Sequence, residues 1–204
     1  MKPEYWDSAK RSLARRDPVM AMIIRRYPRI HLEPRGDPFH TLARAIVGQQ
    51  ISVKAAQSVW NKFSGIAVEV APEKIIRLKT ARLRACGLSA RKSEYIYDLA
   101  HRFADGMVHV HHWPDMSDED VITDLVQVRG IGRWTAEMFL MFNLLRPDVF
   151  PLDDLGLRKG IQLAYFKRPV SLKTMRKLGE TWRPWRSVAT WYLWRSLDPL
   201  PVEY

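Results

Sequence analysis

The stretch "RGIGRWTAE", Arg129 to Glu137, sets two glycines two positions apart, then a basic residue and a tryptophan. An apolar helical pattern ends before it, near Val126, and another begins near Arg133, so the segment reads as helix, short hairpin, helix. Gly130 and Gly132 permit positive φ and let another backbone approach with no Cβ in the way. Such a hairpin turns backbone N–H groups outward beside the positive end of the next helix, and Thr135 adds an N–H in the first turn. Together these groups suit one phosphate. The contact would read no base sequence, because phosphates are alike along a nucleic acid. A lone G-x-G also occurs in ordinary tight turns; the flanking apolar helices and the charge of this chain favour the phosphate.

Other clusters carry less chemistry. "HVHHW", His109 to Trp113, has three histidines but no cysteine or carboxylate set beside it, so a polar loop is expected there and no zinc. "RGDPF" near Arg35 needs only helix-start chemistry. The chain has no Walker A loop, no G-x-G-x-x-G after a strand and no G-x-S-x-G.

The elements that must position the hairpin are helical throughout. Asp17-Pro18 and Asp37-Pro38 each read as an N-cap followed by proline at the first helical position. After Asp37, the residues Phe39, Leu42, Ala43, Ile46 and Val47 fall on one face. Ser52 caps a helix that turns Ala55, Ala56, Val59, Trp60 and Phe63 inward. A short helix over 80–85 stops at Gly87, and Ser89 opens one that runs to Gly106. Ser117 and Asp120 resemble a capping box. The apolar run from Arg133 to Leu145 predicts a buried helix. Helices also fit Leu155 to Tyr165, Ser171 to Trp182 and Pro184 to Ser196. Only "IAVEV", Ile66 to Val70, reads as extended. The expected class is all-α, about ten short helices, with lobe A over 38–146 and lobe B over 1–37 plus 147–204.

The 204 residues hold 33 Lys and Arg against 22 Asp and Glu, a net charge of +11. That excess suits a polyanion, nucleic acid ahead of an anionic membrane surface. Cys86 is the sole cysteine, which excludes an intramolecular disulfide and a cysteine-held zinc or iron–sulfur cluster. The N-terminus lacks the apolar core of a signal peptide, and no run approaches the length of a membrane span. A reducing, intracellular compartment is expected.

With these helices in order, "VQVRGIGRWTAEMFLMF" resembles the helix–hairpin–helix of the DNA glycosylase superfamily, and more narrowly its AlkA type, the class II 3-methyladenine DNA glycosylases. "DPFHTLARAIVGQQISVKAA" resembles that family's early helix pair, and "CGLSARKSEYIYDLA" its next segment. "VFPLDDLGLRKG" resembles its catalytic loop, and "WRPWRSVATWYLWR" its last helix. The likeness runs in order from about Asp37 to Arg195. It implies two helical lobes with the active cleft between them, without the N-terminal β lobe of longer AlkA proteins.

The resemblance also implies a reaction: hydrolysis of the bond between an alkylated, cationic purine and deoxyribose in double-stranded DNA, after the base is flipped out. A carboxylate near C1′ would stabilise the oxocarbenium-like sugar and orient water. Asp154, followed by Leu155 and Gly156, matches the family's aspartate-leucine-glycine. A proline-x-aspartate register would select Asp153 instead. The closer relatives' form selects Asp154 and leaves Asp153 as the expected helix cap. Superfamily members that also cut the backbone carry a Schiff-base lysine two residues after the second glycine. Trp134 stands there, which implies a monofunctional enzyme that leaves an abasic site. Trp134 and Trp194 match the pocket aromatics, and a cationic base favours an indole face. Met138 replaces a tyrosine of AlkA. Gln50 falls at the position that plugs the gap left by the flipped base. The carbonyls of Val126, Val128 and Ile131 match those that hold a structural Na+ or K+ in relatives; no other cofactor is implied. A monomer is the default, in the nucleoid or nucleus. Two other readings stay open: a non-catalytic helix–hairpin–helix DNA-binding module, and a bifunctional glycosylase/lyase for oxidised bases.

Overall fold

The computed structural model of the chain describes residues 2–66 and 70–198. Twelve α-helices and no strand occur among the described residues. The described residues group into two compact units, one formed by 2–34 with 140–198, the other by the described residues of Arg35–Phe139. No helix among the described residues is long and apolar enough to cross a membrane.

The first unit holds α1 (Trp6–Arg16), α2 (Pro18–Arg26), α10 (Leu155–Tyr165), α11 (Leu172–Glu180) and α12 (Arg186–Leu197). Asp17 caps α2 as its sequence predicts, accepting from Val19 N and Met20 N. Its other oxygen accepts from the Tyr165 hydroxyl at 2.7 Å and the Trp182 indole N–H at 3.0 Å. One carboxylate thus ties the start of α2 to the end of α10 and to the turn after α11. Helix α12 packs against α1, α2 and α10, and every residue from Ser187 to Arg195 is buried. A helix buried on all sides shows no amphipathic period, so its apolar residues do not mark one face.

The second unit holds α3 (Pro38–Gly48), α4 (Val53–Ile66), α5 (Pro72–Ile76), α6 (Thr80–Ala85), α7 (Ala90–Ala104), α8 (Asp118–Leu125) and most of α9 (Arg133–Phe142). Helix α7 is its axis, with α3, α5 and α6 against it. Asp37, Ser89 and Ser117 accept from His40 N, Lys92 N and Asp120 N, each three residues on, as capping predicts. Ser117 also donates its hydroxyl to Asp120 Oδ2 at 2.7 Å. Ser52 accepts from Ala55 N at 3.3 Å. The apolar face predicted for α3 is buried residue by residue.

Several boundaries differ from expectation. Helix α9 stops at Phe142, and Leu145 takes φ 53, because Asn143 onward leaves the helix before the proline at 147. Helix α12 starts two residues after Pro184. The five-residue α5 was not anticipated. Of "IAVEV", Ile66 ends α4, and residues 67–69 lie outside the described residues.

Candidate active site

In the second unit, α8 and α9 flank the hairpin that the glycines predict. Val126 is the C-cap of α8, and Ile131 N donates to Val128 O at 3.0 Å to close the turn. Gly130 takes φ 84, and a Cβ there would fall inside the van der Waals envelope of the Tyr95 ring. It is glycine both for its backbone and for its neighbour. Gly132 differs from expectation: its φ is not positive, it is exposed, and nothing lies within 4 Å of where its Cβ would be. That open space leaves room for an approaching phosphate. Ala136 N makes the first backbone bond of α9, to Gly132 O at 3.0 Å, so the N–H groups of Arg133, Trp134 and Thr135 form its N-terminal turn.

The hinge arginine pairs with carboxylates of its own unit. The Arg133 guanidinium grips Glu119 with two nitrogens, one at 2.9 Å, and reaches Glu137 at 3.2 Å. Its partner carboxylate raises the Arg133 pKa further, and the arginine holds Glu119 below the usual carboxylate range. Trp134 is half-buried, and Met138, one turn later, lies on the same side of α9 and is buried. The Thr135 side chain is buried.

The expected plug sits in the turn between α3 and α4. Gln50 is exposed and takes φ 58, a left-handed conformation uncommon for glutamine that costs of order 1–3 kcal/mol. Sequence reasoning missed what holds it. The Gln49 amide donates to Gly130 O at 2.8 Å. Lys92 Nζ donates to Val47 O at 2.8 Å and Gln49 O at 2.6 Å, and partial burial lowers its pKa. Asp98 accepts from Arg129 N at 2.8 Å and from Arg102 at 3.0 Å. Apart from the Asp98–Arg102 pair, which is one helical turn, no local spacing signals these ties, since each joins residues more than thirty positions apart.

The first unit carries the carboxylate. Asp154 is 8% exposed and is itself the N-cap of α10, accepting from Leu157 N at 2.6 Å. This corrects the assignment of the cap to Asp153. Asp153 lies one residue too early, is exposed, and pairs with Arg158 at 2.6 Å. The Trp194 indole N–H donates to the same Asp154 Oδ1 at 2.8 Å. A Cβ on Gly156 would lie 3.0 Å from Asp154 Oδ1 and 3.3 Å from the Trp194 ring, so the glycine of the D-L-G run is what lets the indole close on the carboxylate. Trp194 is buried and stacks on Phe142, 6.0 Å between centroids at 9°. The loop before Asp154 is pinned in turn. The Ser187 hydroxyl donates to Arg146 O at 2.6 Å and accepts from Val149 N at 2.9 Å. Arg186 pairs with Asp148 at 2.8 Å, and Arg158 Nε donates to Leu152 O at 2.5 Å. The structure therefore brings Asp154 and Trp194 together, and, within the other unit, Gln50's turn and the hairpin. In the histidine loop, Asp124 accepts from the His109 ring and the Trp113 indole, and no metal-binding group of His, Cys, Asp or Glu occurs among the described residues.

One unit thus holds a buried carboxylate fixed by two N–H donors beside an aromatic ring, and the other holds a glycine hairpin at a helix start. Residues 43–184 match the family model of the HhH-GPD superfamily of base excision DNA repair proteins, and the chain belongs to that superfamily. Its relatives there are DNA-3-methyladenine glycosylases, and it is an N-glycosylase of that hydrolase type. DNA-3-methyladenine glycosylase 1 of Schizosaccharomyces pombe is 36% identical over 165 residues, 78% of this chain and 72% of the relative. A 3-methyladenine DNA glycosylase from the same yeast, solved with abasic DNA, superposes with TM-score 0.81 at 31% identity, over 97% of this chain and 99% of that one. A DNA-3-methyladenine glycosidase of Bacillus halodurans gives TM-score 0.86 at 30% identity, over 93% and 89%.

Proposed function

We propose that the chain is a monofunctional DNA glycosylase that removes alkylated, cationic purines such as 3-methyladenine and 7-methylguanine from duplex DNA and leaves an abasic site. The observation that carries this reading is the geometry at Asp154. A substrate-facing negative charge works when its position is prepaid by the fold, and two N–H donors fix Oδ1 here. The names of the relatives support the substrate class.

The chemistry then runs as follows. The hairpin takes a phosphate while the lesion is flipped out of the stack, and Gln50 fills the gap. The C1′–N bond breaks with its electron pair passing to the base, which departs neutral. Positive charge builds on C1′ and the ring oxygen, and the Asp154 carboxylate stabilises it. Water adds to C1′ and loses its proton, completing hydrolysis. Trp134 offers a π face to the cationic base. An indole cannot form a Schiff base, so the strand is left intact. Trp194 lines this site and orients Asp154. The carbonyls of Val126, Val128 and Ile131 suit a structural Na+ or K+, which would help neutralise the phosphate. Val128 O already accepts from Ile131 N and keeps a second lone pair for an ion. The enzyme acts as a monomer.

Duplexes carrying 3-methyladenine, 7-methylguanine, hypoxanthine or 8-oxoguanine test the reading through alkali-revealed abasic sites. The expected result is release of the alkylated purines, no nick without alkali and no borohydride-trapped adduct. Release from none of them would favour a binding module, and a trapped adduct would favour a lyase.

A further inference from the structure

The turn that carries Gln50 and the hairpin that carries Gly130 are far apart in sequence, yet they are physically joined. The Gln49 amide, one residue before the plug, donates to Gly130 O at 2.8 Å. On the other side of the same turn, Lys92 Nζ bridges the carbonyls of Val47 and Gln49 at 2.8 and 2.6 Å. These are carbonyls at the end of α3, which the helix itself cannot satisfy. Lys92 lies on α7, and so do the two residues that hold the hairpin: Tyr95, whose ring packs on Gly130, and Asp98, which accepts from Arg129 N. One side of a single helix therefore braces both devices at three-residue intervals.

The backbone beside one end of the tie is unusual in a way that bracing would hold. Gln50 takes φ 58, left-handed and strained for a residue with a Cβ, whereas Gly130 adopts its φ of 84 freely; Gln50 is also exposed, so packing of its own side chain does little to hold it there. The bonds made by Gln49 and Lys92 over-determine the turn and leave the Gln50 side chain projecting. They also make the position of the turn a function of the position of the hairpin.

We infer that Gln49 and Lys92 are positioning residues that couple phosphate capture at the hairpin to gap filling by Gln50. This rests on the glycosylase reading above. Engagement of a phosphate by the hairpin holds Gly130 O in place, and the Gln49 amide transmits that placement to the plug. Loss of either residue then costs what loss of the plug costs, because a plug in the wrong place fills no gap.

The test is a double-mutant cycle on preference for an abasic-site analogue. Affinity is measured for a duplex carrying tetrahydrofuran and for the same duplex undamaged, and the ratio is taken for each protein. Gln50→Ala is expected to lower the ratio about tenfold, and Gln49→Leu about as much. The double variant is expected to lose no more than either single one. Lys92→Met should behave as Gln49→Leu, giving a second cycle should one variant fold poorly. Lys92→Arg, which keeps two donors, should restore most of the ratio, as loss of mere bulk or stability would not. Losses that multiply to about a hundredfold in the double variants, or no loss from Gln49→Leu and Lys92→Met, would overturn the coupling. A wild-type protein with no preference for tetrahydrofuran would overturn the glycosylase reading and the coupling with it.

Discussion

At the scale of the residue, Asp154 performs two tasks with one side chain. Its Oδ1 caps α10 and accepts the Trp194 indole, and its charge is what the proposed chemistry needs. The two tasks separate on substitution. Asparagine caps a helix as well as aspartate does, so Asp154→Asn should melt within a few degrees of wild type. It lacks the charge, so single-turnover excision of 7-methylguanine should fall by roughly 10²–10³, as when other preorganised electrostatic groups are removed. Asp153→Asn loses only an exposed pair with Arg158 and should excise at the wild-type rate within about twofold. If the two variants reverse, Asp153 is the working carboxylate.

At the scale of the element, the hairpin's two glycines should answer differently to the same change. Gly130→Ala meets both a left-handed backbone and the Tyr95 ring, and should cost about 1–3 kcal/mol in urea unfolding. Gly132→Ala meets open space at ordinary φ, so it should fold normally and instead weaken DNA binding by occupying the phosphate's approach. The Glu119–Arg133 pair that joins the start of α8 to the start of α9 adds a pH dependence. The folded Glu119 pKa is depressed, so its contribution is present above the unfolded value of about 4.3 and is lost as pH falls through the folded value. The stability difference between wild type and Arg133→Gln should therefore shrink in unfolding curves taken below about pH 4. Because Glu119 is largely exposed, the effect is screened and should diminish in high salt.

At the scale of the whole molecule, the net charge of +11 belongs to a protein whose partner is a polyanion. DNA affinity should fall linearly in log–log form with salt, by about 10³ between 50 and 200 mM if some six phosphates are contacted. Titration of an undamaged duplex by fluorescence anisotropy checks this, and a flat response would remove phosphate contact from the mechanism. The two compact units divide the residues of the proposed site between them. Asp154 and Trp194 belong to the one, and the hairpin, Trp134 and Gln50 to the other.

The caps at Asp17, Asp37, Ser89 and Ser117, the buried face of α3 and the existence of the hairpin were all legible in the chain itself. Each depends on groups within four residues of one another, and spacing along the chain records such relations directly. That a tryptophan and not a lysine stands two residues after Gly132 is likewise a matter of identity and not of geometry. What only the tertiary structure decided was which of two adjacent aspartates turns inward, that Trp194 spends its N–H on Asp154 forty residues away, and that Gln49 reaches Gly130 across eighty-one. A hydrogen bond requires two groups within about 3 Å, and between distant residues that meeting is set by how the helices pack, which no local pattern encodes.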